Sequence, residues 1–193
     1  MKKGIFVYHK EHGKGRVVGM DITNTLVDVR FSKTKRLYLP ESELTIKKTR
    51  YFAPVKGAPE DTILPTRGSK RSSGYDFYAP RDILVPAHGA SELVFMNVKA
   101  YMRSDEFLYL KIRSGLSVKN NLWLACSGII DSDYADNPSN DGNIGVRWRN
   151  YGDEDYTIKK GDRCCQGIFI KYVTCEDDDF DGERTGGLGS TGK

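Results

Sequence analysis

The chain has 193 residues, 38% of them hydrophobic, and a formal net charge of +4 at pH 7. This length accommodates one ordinary domain, or a domain with a small module, and the hydrophobic content suffices for a buried core. No apolar run approaches the roughly 20 residues that cross a bilayer, and the basic N-terminus lacks a signal-like apolar segment. These features argue against membrane insertion and export and predict a cytoplasmic protein.

Cysteine and histidine chemistry is also disfavoured. The four cysteines form no CxxC pair and lie in strand-like segments, which predicts reduced thiols and argues against zinc. None of the three histidines lies near a serine or cysteine in a recognisable nucleophile setting, which disfavours a Ser-His-Asp hydrolase.

The net positive charge is concentrated in the first 50 residues. They contain 12 Lys and Arg against 5 Asp and Glu, whereas residues 51–193 contain 18 against 21. Residues 4–46 read as four short strands, GIFVYH, GRVVGMD, TLVDVRF and KRLYLP, with turn residues between them. We therefore predict a small β-barrel module over residues 1–48, with a different partner from the rest of the chain.

This segment resembles the Tudor or SH3-like module of some bacterial DNA repair helicases and RNA-polymerase-binding proteins. The residues that carry the resemblance are His9, Gly13, Gly15, Val17 and Val18. Two interpretations stand side by side: both glycines serve a tight hairpin, or the basic surface binds a partner. The resemblance suggests a protein partner such as RNA polymerase or a helicase, and the charge suggests nucleic acid. A protein is favoured, because closely spaced aromatic and basic residues are missing from this stretch.

From residue 51 onward the pattern is again strand-like, with Pro and Gly turns and no long helical period. An all-β sandwich or jelly roll over residues 51–193 is predicted, with at most one short helix near RSGLSVKNN. The end of the chain, about residues 176–193, is acidic and then rich in Gly, Ser and Thr, which predicts a mobile tail.

Five polar motifs stand in this second part. They are GYDFYAP (74–80), RSGLSVKN (113–120), GIIDSDY (128–134), KKGDRCCQGIF (159–169) and RTGGLGSTG (184–192). Singly each is more typical of a turn or a helix start than of a site. Together, in this order and spacing, they resemble the five motifs of the trimeric dUTPase family, of the phage or Gram-positive type.

The resemblance implies hydrolysis of dUTP to dUMP and pyrophosphate, with Mg²⁺ bridging the phosphates. Asp131 matches the carboxylate that orients the attacking water, and Tyr134 matches the tyrosine that packs on the deoxyribose and excludes a 2′-hydroxyl. Uracil is expected to meet main-chain groups near Ser127, Gly128 and Ile129. The matches to phosphate-binding and tail positions are Arg113, Ser114, Gly115, Gln166, Arg184, Gly189, Ser190 and Thr191.

Asp76 is a candidate contact to Mg²⁺ through water, by the same resemblance. The family also implies a homotrimer whose three active sites are shared among subunits. A tail that orders only on the nucleotide would exclude water at the chemical step.

The sequence departs from the family pattern in three ways. About six residues are inserted within 135–141. A surface loop accepts such an insertion at little entropic cost, but the insertion puts the expected wall of the sugar pocket in doubt. Leu188 stands where the family commonly has a phenylalanine that stacks on uracil, and the spacing from Arg184 to Leu188 is one residue short. Trp148 or Tyr151 is the candidate replacement for that aromatic ring.

Two alternatives remain open. A dCTP deaminase relative on the same fold would need an acid/base glutamate and a different motif after its Arg-Ser. A regulatory binding protein would keep the dUTPase body and use the inserted loop or the basic N-terminal module to hold another macromolecule.

Overall fold

The chain divides into two compact units, Met1–Thr49 and Arg50–Lys193. The structure, a computed structural model, describes residues 3, 6–20, 26–45, 49–126, 128–179, 182, 184 and 186–187. No helix in these ranges is both long and apolar enough to cross a membrane.

The N-terminal unit is one antiparallel sheet with the strand order β4-β3-β2-β1-β5. Valine side chains of three strands and a leucine of a fourth form its small core, which consists of Val7, Val17, Val27, Val29 and Leu44. A curled sheet of five short strands is consistent with the predicted SH3-like barrel. Its elements are β1 Phe6–His9, β2 Gly13–Met20, β3 Leu26–Arg30, β4 Arg36–Pro40, a 3₁₀ turn Glu41–Glu43 and β5 Leu44–Thr45.

The residues that carry the N-terminal resemblance have structural roles in this sheet. The Nδ1 atom of His9 accepts hydrogen bonds from the backbone N–H of Glu11 (3.1 Å) and His12 (3.3 Å), which shapes the turn between β1 and β2. Gly13 has a φ of +70° at that turn. A Cβ atom on Gly15 would lie 2.5 Å from the side chain of Val29. The motif is therefore explained by the hairpin and the core.

The second unit contains one helix and thirteen strands in its described part. The predicted short helix begins at Ser114, directly after Arg113. The elements are β6 Tyr51–Pro54, β7 Thr66–Arg67, β8 Tyr75–Tyr78, β9 Ile83–Val85, β10 Val94–Phe95, β11 Val98–Tyr101, β12 Glu106–Lys111, α1 Ser114–Asn120, β13 Leu122–Leu124, β14 Ile129–Asp131, β15 Gly145–Val146, β16 Trp148–Asn150, β17 Tyr156–Ile158 and β18 Arg163–Lys171.

A five-stranded antiparallel sheet with the order β14-β12-β18-β8-β7 is the main layer of this unit. Four two-stranded sheets, β10-β15, β11-β6, β13-β16 and β17-β9, contribute the other strands. The all-β jelly-roll prediction is confirmed by this architecture and by the structural relatives described below.

Alternation along β12 divides the main sheet into two faces. Leu108 and Leu110 point into a core that includes Phe77, Ile130 and Trp148. The residues between them lie on the opposite, partly exposed face, as period-two alternation requires. This outward face carries Asp76, Asp131 and Gln166.

Candidate functional site

The first polar cluster forms where β8 and β18 pair. Asp76 of β8 is directly opposite Gln166 of β18, so both side chains lie on the same face of the sheet. The Nε atom of Arg113 lies 2.8 Å from one carboxylate oxygen of Asp76, and a guanidinium nitrogen of Arg163 lies 3.5 Å from the other. The largely buried Asp76 thus holds two arginines in place by charge-assisted contacts.

These side chains border a cavity of about 290 Å³. Ser114, the first residue of α1, also contributes to its wall, and the first N–H groups of a helix have no intrahelical acceptors. The cavity therefore combines two guanidinium groups, hydroxyl groups and an amide, a donor set suited to phosphate oxygens.

The glycine of GYD is required by this arrangement. A Cβ atom on Gly74 would lie 2.4 Å from Oε1 of Gln166, so a larger residue would displace the glutamine. Glycine at position 74 keeps the Gln166 amide in the cavity wall.

Sequence reasoning missed three lining residues, Ser69, Ser72 and Arg163. The two serines bond to each other's backbone, with Oγ of Ser72 accepting from the N–H of Ser69 (3.2 Å) and Oγ of Ser69 accepting from the N–H of Ser72 (3.1 Å). The signal for Arg163 was its place in GDR, three residues before Gln166. The serines lie in GSKRSSG, a polar turn without the alternation of a strand, so the sequence did not indicate which way they face.

The second polar cluster lies around Asp131, at the end of edge strand β14. Arg184 donates from Nη2 to Asp131 (2.6 Å) and from Nε to Asp133 (2.8 Å). Burial lowers the pKa of Arg184, but the hydrogen bond to Asp133 and the charge of Asp131 outweigh burial and raise it. Arg184 is thus placed against the two carboxylates of its own chain, and its predicted role at the terminal phosphate stays a prediction.

Tyr134 is buried beside these carboxylates, and only 4% of its surface is exposed. Its backbone N–H donates to the carbonyl of Asp131 (3.1 Å). The guanidinium carbon of Arg184 lies 5.5 Å from the centre of its ring. Asp131, Tyr134 and Arg184, three residues that the motifs singled out, therefore lie together.

The predicted uracil-binding stretch is described only in part. Gly128 has a φ of +74°, and its carbonyl accepts a short hydrogen bond (2.6 Å) from Leu110, so this oxygen is engaged within the sheet. The side chain of Ile129 is exposed. Ser127, Leu188, Gly189, Ser190 and Thr191 lie outside the described residues, and their roles remain predictions.

The prediction that Trp148 could replace the uracil-stacking ring is wrong. Its side chain is fully buried, and its indole N–H donates to the carbonyl of Cys164 (3.1 Å), because it belongs to the core. Tyr151 is exposed, and the guanidinium of Arg149 lies 5.4 Å from its ring centre.

The two polar clusters lie far apart within one chain. Asp131 pairs with Phe107 on β12, whereas Gln166 pairs with Lys111, four residues further along the same strand. With strand spacings of about 4.8 Å and a rise of about 3.4 Å per residue, Asp131 and Gln166 are roughly 16 Å apart. One chain does not bring the carboxylate to the phosphate-binding cavity.

The fold is that of a jelly-roll protein, and its two polar clusters offer a carboxylate at a strand end and an arginine-lined cavity. The family model described as dUTPase matches residues 60–192. The deoxyuridine 5′-triphosphate nucleotidohydrolase of Lactococcus lactis is 40% identical over 132 residues, which cover 67% of this chain and 87% of the relative. The chain belongs to the dUTPase family.

Solved structures agree with this assignment. A dUTPase from Streptococcus mutans aligns with a TM-score of 0.60 and 33% identity, covering 65% of this chain and 98% of the other. A point mutant of the dUTPase from phage phi11 of Staphylococcus aureus, described with a structural Mg(II) ion, aligns with a TM-score of 0.57 and 19% identity over 70% of this chain and 98% of the other. At that identity the phage structure supports the fold alone.

Proposed function

We propose that the chain hydrolyses dUTP to dUMP and pyrophosphate, with Asp131 orienting and deprotonating the attacking water. The observation that carries this proposal is the placement of Asp131 at one edge of the outward sheet face and of the arginine-lined cavity near the other edge. A general base must reach the water by a hydrogen bond, and Asp131 is about half exposed at a strand end, where a substrate has access.

Phosphate binding is assigned to the cavity around Asp76. Arg113, Arg163 and Gln166 offer donors to the phosphate oxygens, and the first N–H groups of α1 add to them. Asp76 acts as a positioning residue, because it fixes the Arg113 guanidinium before substrate arrives. A preorganised site spends little binding energy on ordering its own side chains.

Mg²⁺ fits this site as an ion held by the substrate. Within the ranges that the structure describes, no three His, Cys, Asp or Glu side chains converge as metal ligands. Such a cluster is not required, since Mg²⁺ keeps several waters and takes phosphate oxygens as ligands. The ion would neutralise charge on the triphosphate, and Asp76 retains acceptor capacity for a metal-bound water.

The active site is proposed to be shared between subunits of a homotrimer. Phe107 and Ile170 pair on the outward face of the main sheet, as do Tyr109 and Ile168. This partly exposed apolar strip separates Asp131 from the phosphate cavity. A second copy packed on the strip would bury it and bring its Asp131 to the cavity of the first.

Subunit complementation tests the shared site. Asp131→Asn and Arg113→Ala chains, each inactive alone, are expected to regain part of the dUTPase activity when unfolded and refolded together. Mixed trimers then contain sites with both native residues. Activity that stays at the level of either parent, in mixtures shown by mass to contain both chains, would contradict sharing.

Substrate choice is tested by pyrophosphate release from dUTP, dCTP, dTTP and UTP, with and without Mg²⁺. Turnover of dUTP well above the others is expected. The family match favours this outcome over the dCTP deaminase alternative, which would instead release ammonia from dCTP.

The N-terminal unit is proposed to bind a protein partner, such as RNA polymerase or a helicase, rather than nucleic acid. Because His9, Gly13 and Gly15 are occupied with shaping the hairpin, the proposal rests on the resemblance and on the lack of closely spaced aromatic and basic residues in this stretch of the sequence. Titration of the full chain with duplex and single-stranded DNA at two salt concentrations tests it. Binding that is submicromolar at physiological salt and falls with a slope of about −0.9 per phosphate contact would favour nucleic acid.

A further inference from the structure

The loop of residues 135–142, called the 135–142 loop below, has no part in the function proposed above, yet its side chains specify its shape. Asn137 is buried, and its amide oxygen accepts from the N–H (3.1 Å) and hydroxyl (2.9 Å) of Ser139 and from the N–H of Asn140 (3.1 Å). Its amide nitrogen donates to Oδ1 of Asn140 (2.7 Å). An exposed spacer needs no such network.

The 135–142 loop is also anchored to the body of the domain. Nζ of the largely buried Lys99 lies 2.5 Å from a carboxylate oxygen of Asp136 and 2.9 Å from one of Asp141. The hydroxyl of Tyr101 donates to Asp136 (2.8 Å), and the N–H of Lys56 donates to Asp141 (2.7 Å). Both aspartates have positive φ angles, 61° and 56°. The anchors stabilise a backbone shape that non-glycine residues seldom adopt.

Tyr134 is held at both ends by this loop. Asn137 Nδ2 donates to the backbone carbonyl of Tyr134 (2.8 Å), and Asn140 Nδ2 donates to its phenolic oxygen (2.8 Å). The phenolic hydroxyl in turn donates to the carbonyl of Asn143 (3.2 Å). The position of the Tyr134 ring, which the family resemblance assigns to the deoxyribose, therefore depends on Asn140.

The same loop meets the C-terminal tail. A Cβ atom on Gly187 would lie 2.6 Å from Oγ of Ser139 and 3.2 Å from Nδ2 of Asn140. Ser139 has little freedom to move aside, because its hydroxyl is bonded to Asn137. The loop surface therefore accepts glycine, and no larger residue, at position 187.

We propose that the 135–142 loop is a positioning element of the nucleotide site: Asn140 fixes Tyr134 for recognition of a deoxyribose, and Ser139 with Asn140 seats the tail at Gly187. The inference rests on the proposed dUTPase activity. It assigns the discrimination between dUTP and UTP in part to a residue that touches neither nucleotide.

A double-mutant cycle tests the Asn140 assignment. Asn140→Ala in the full chain is expected to lower the ratio of kcat/KM for dUTP to that for UTP about tenfold, the effect of losing the hydrogen bond to the Tyr134 hydroxyl. In a Tyr134→Phe background the same change is expected to leave this ratio unaltered, because the bond is already absent. Pro138→Ala, an exposed change in the same loop, is the matched control and should keep the wild-type ratio.

The outcomes separate the inference from the proposed function. A wild-type chain that does not hydrolyse dUTP would refute the proposed function itself. If the wild type is active but Asn140→Ala keeps the wild-type ratio, or lowers it equally in both backgrounds, Asn140 does not position Tyr134. Melting temperatures of all variants show whether a loss of activity reflects unfolding.

A pair of compensating substitutions tests whether Ser139 and Asn140 position the tail at Gly187. Gly187→Ala is expected to lower kcat for dUTP roughly tenfold or more, because the added methyl group collides with Ser139 and displaces the tail. Ser139→Ala removes the colliding hydroxyl, so the double variant should recover most of the kcat of Ser139→Ala alone. Full activity of Gly187→Ala, or a double variant as slow as Gly187→Ala, would overturn the assignment.

Discussion

Replacing Lys99 with methionine tests how firmly the 135–142 loop is anchored. Methionine retains much of the length of the lysine side chain but leaves the carboxylates of Asp136 and Asp141 without their shared cation. Removing one partner of a buried ion pair costs about 3–5 kcal/mol. The aspartate side chains are 54% and 16% exposed and keep bonds to Tyr101 and Lys56, so we expect about 2 kcal/mol.

For a unit of about 140 residues, this loss corresponds to a fall in Tm of about 7 °C. Differential scanning calorimetry of the purified variant at pH 7 measures it. Lys159→Met is the matched control, because Lys159 pairs with Asp82 on the surface, where both side chains are more than half exposed. Its Tm should not change measurably. Equal shifts for the two variants would refute the reasoning.

The same comparison has a defined pH dependence. The hydrogen bond from Lys99 holds the pKa of Asp136 below its usual value, and the N–H of Lys56, followed by Lys99, does so for Asp141. Groups with lowered pKa values stabilise the folded chain above their unfolded pKa of about 3.9 and lose that contribution as the pH falls. The Tm difference between wild type and Lys99→Met should therefore be constant from neutral pH to about pH 5 and shrink below about pH 4.

Three further predictions concern catalysis and the core. Asp131→Asn should lower kcat on dUTP by roughly 10²- to 10⁴-fold with nucleotide binding largely retained, and Asp133→Asn should lose much less; the reverse order, measured by pyrophosphate release and titration calorimetry, would show that the roles were exchanged. Deleting residues 184–193 should abolish most turnover while the Tm and oligomeric mass stay close to wild type, and a fully active truncated chain would contradict a role for the tail. Trp148→Phe should cost about 2–3 kcal/mol in urea unfolding, since it removes the hydrogen bond to the carbonyl of Cys164 and opens a cavity; a stability within error of wild type would count against this account.

The sequence predicted the family through the chemistry of short motifs. The all-β class and the dUTPase assignment are confirmed, and the structure brings Asp131, Tyr134 and Arg184 together as a consistent cluster. Residues within one motif are close along the chain, so their order and spacing can be recognised in the sequence without knowledge of the rest of the fold.

The burial of individual side chains and the distances between motifs were harder to predict from the sequence. Trp148 was a candidate for the uracil-stacking ring, but it is a core residue whose indole N–H is hydrogen-bonded, because alternation along β16 turns its side chain inward. Arg163 was missed because it approaches Asp76 only after β8 and β18, two strands far apart in sequence, have paired, and Ser69 and Ser72 were missed because their polar turn has no strand pattern.

The sequence alone therefore provided the candidate carboxylate, Asp131, the candidate arginines, Arg113 and Arg184, and the glycine-rich tail, whereas Arg163 was found only in the structure. Only the tertiary structure decided which of these groups share a cluster. The pairing of Asp76 with Gln166 joins positions 90 residues apart, and the register along β12 places Asp131 roughly 16 Å from Gln166. The structure likewise showed the inserted residues to be a bonded loop around Tyr134. The physical reason is that motif chemistry is local, whereas strand register and burial depend on the packing of the whole chain.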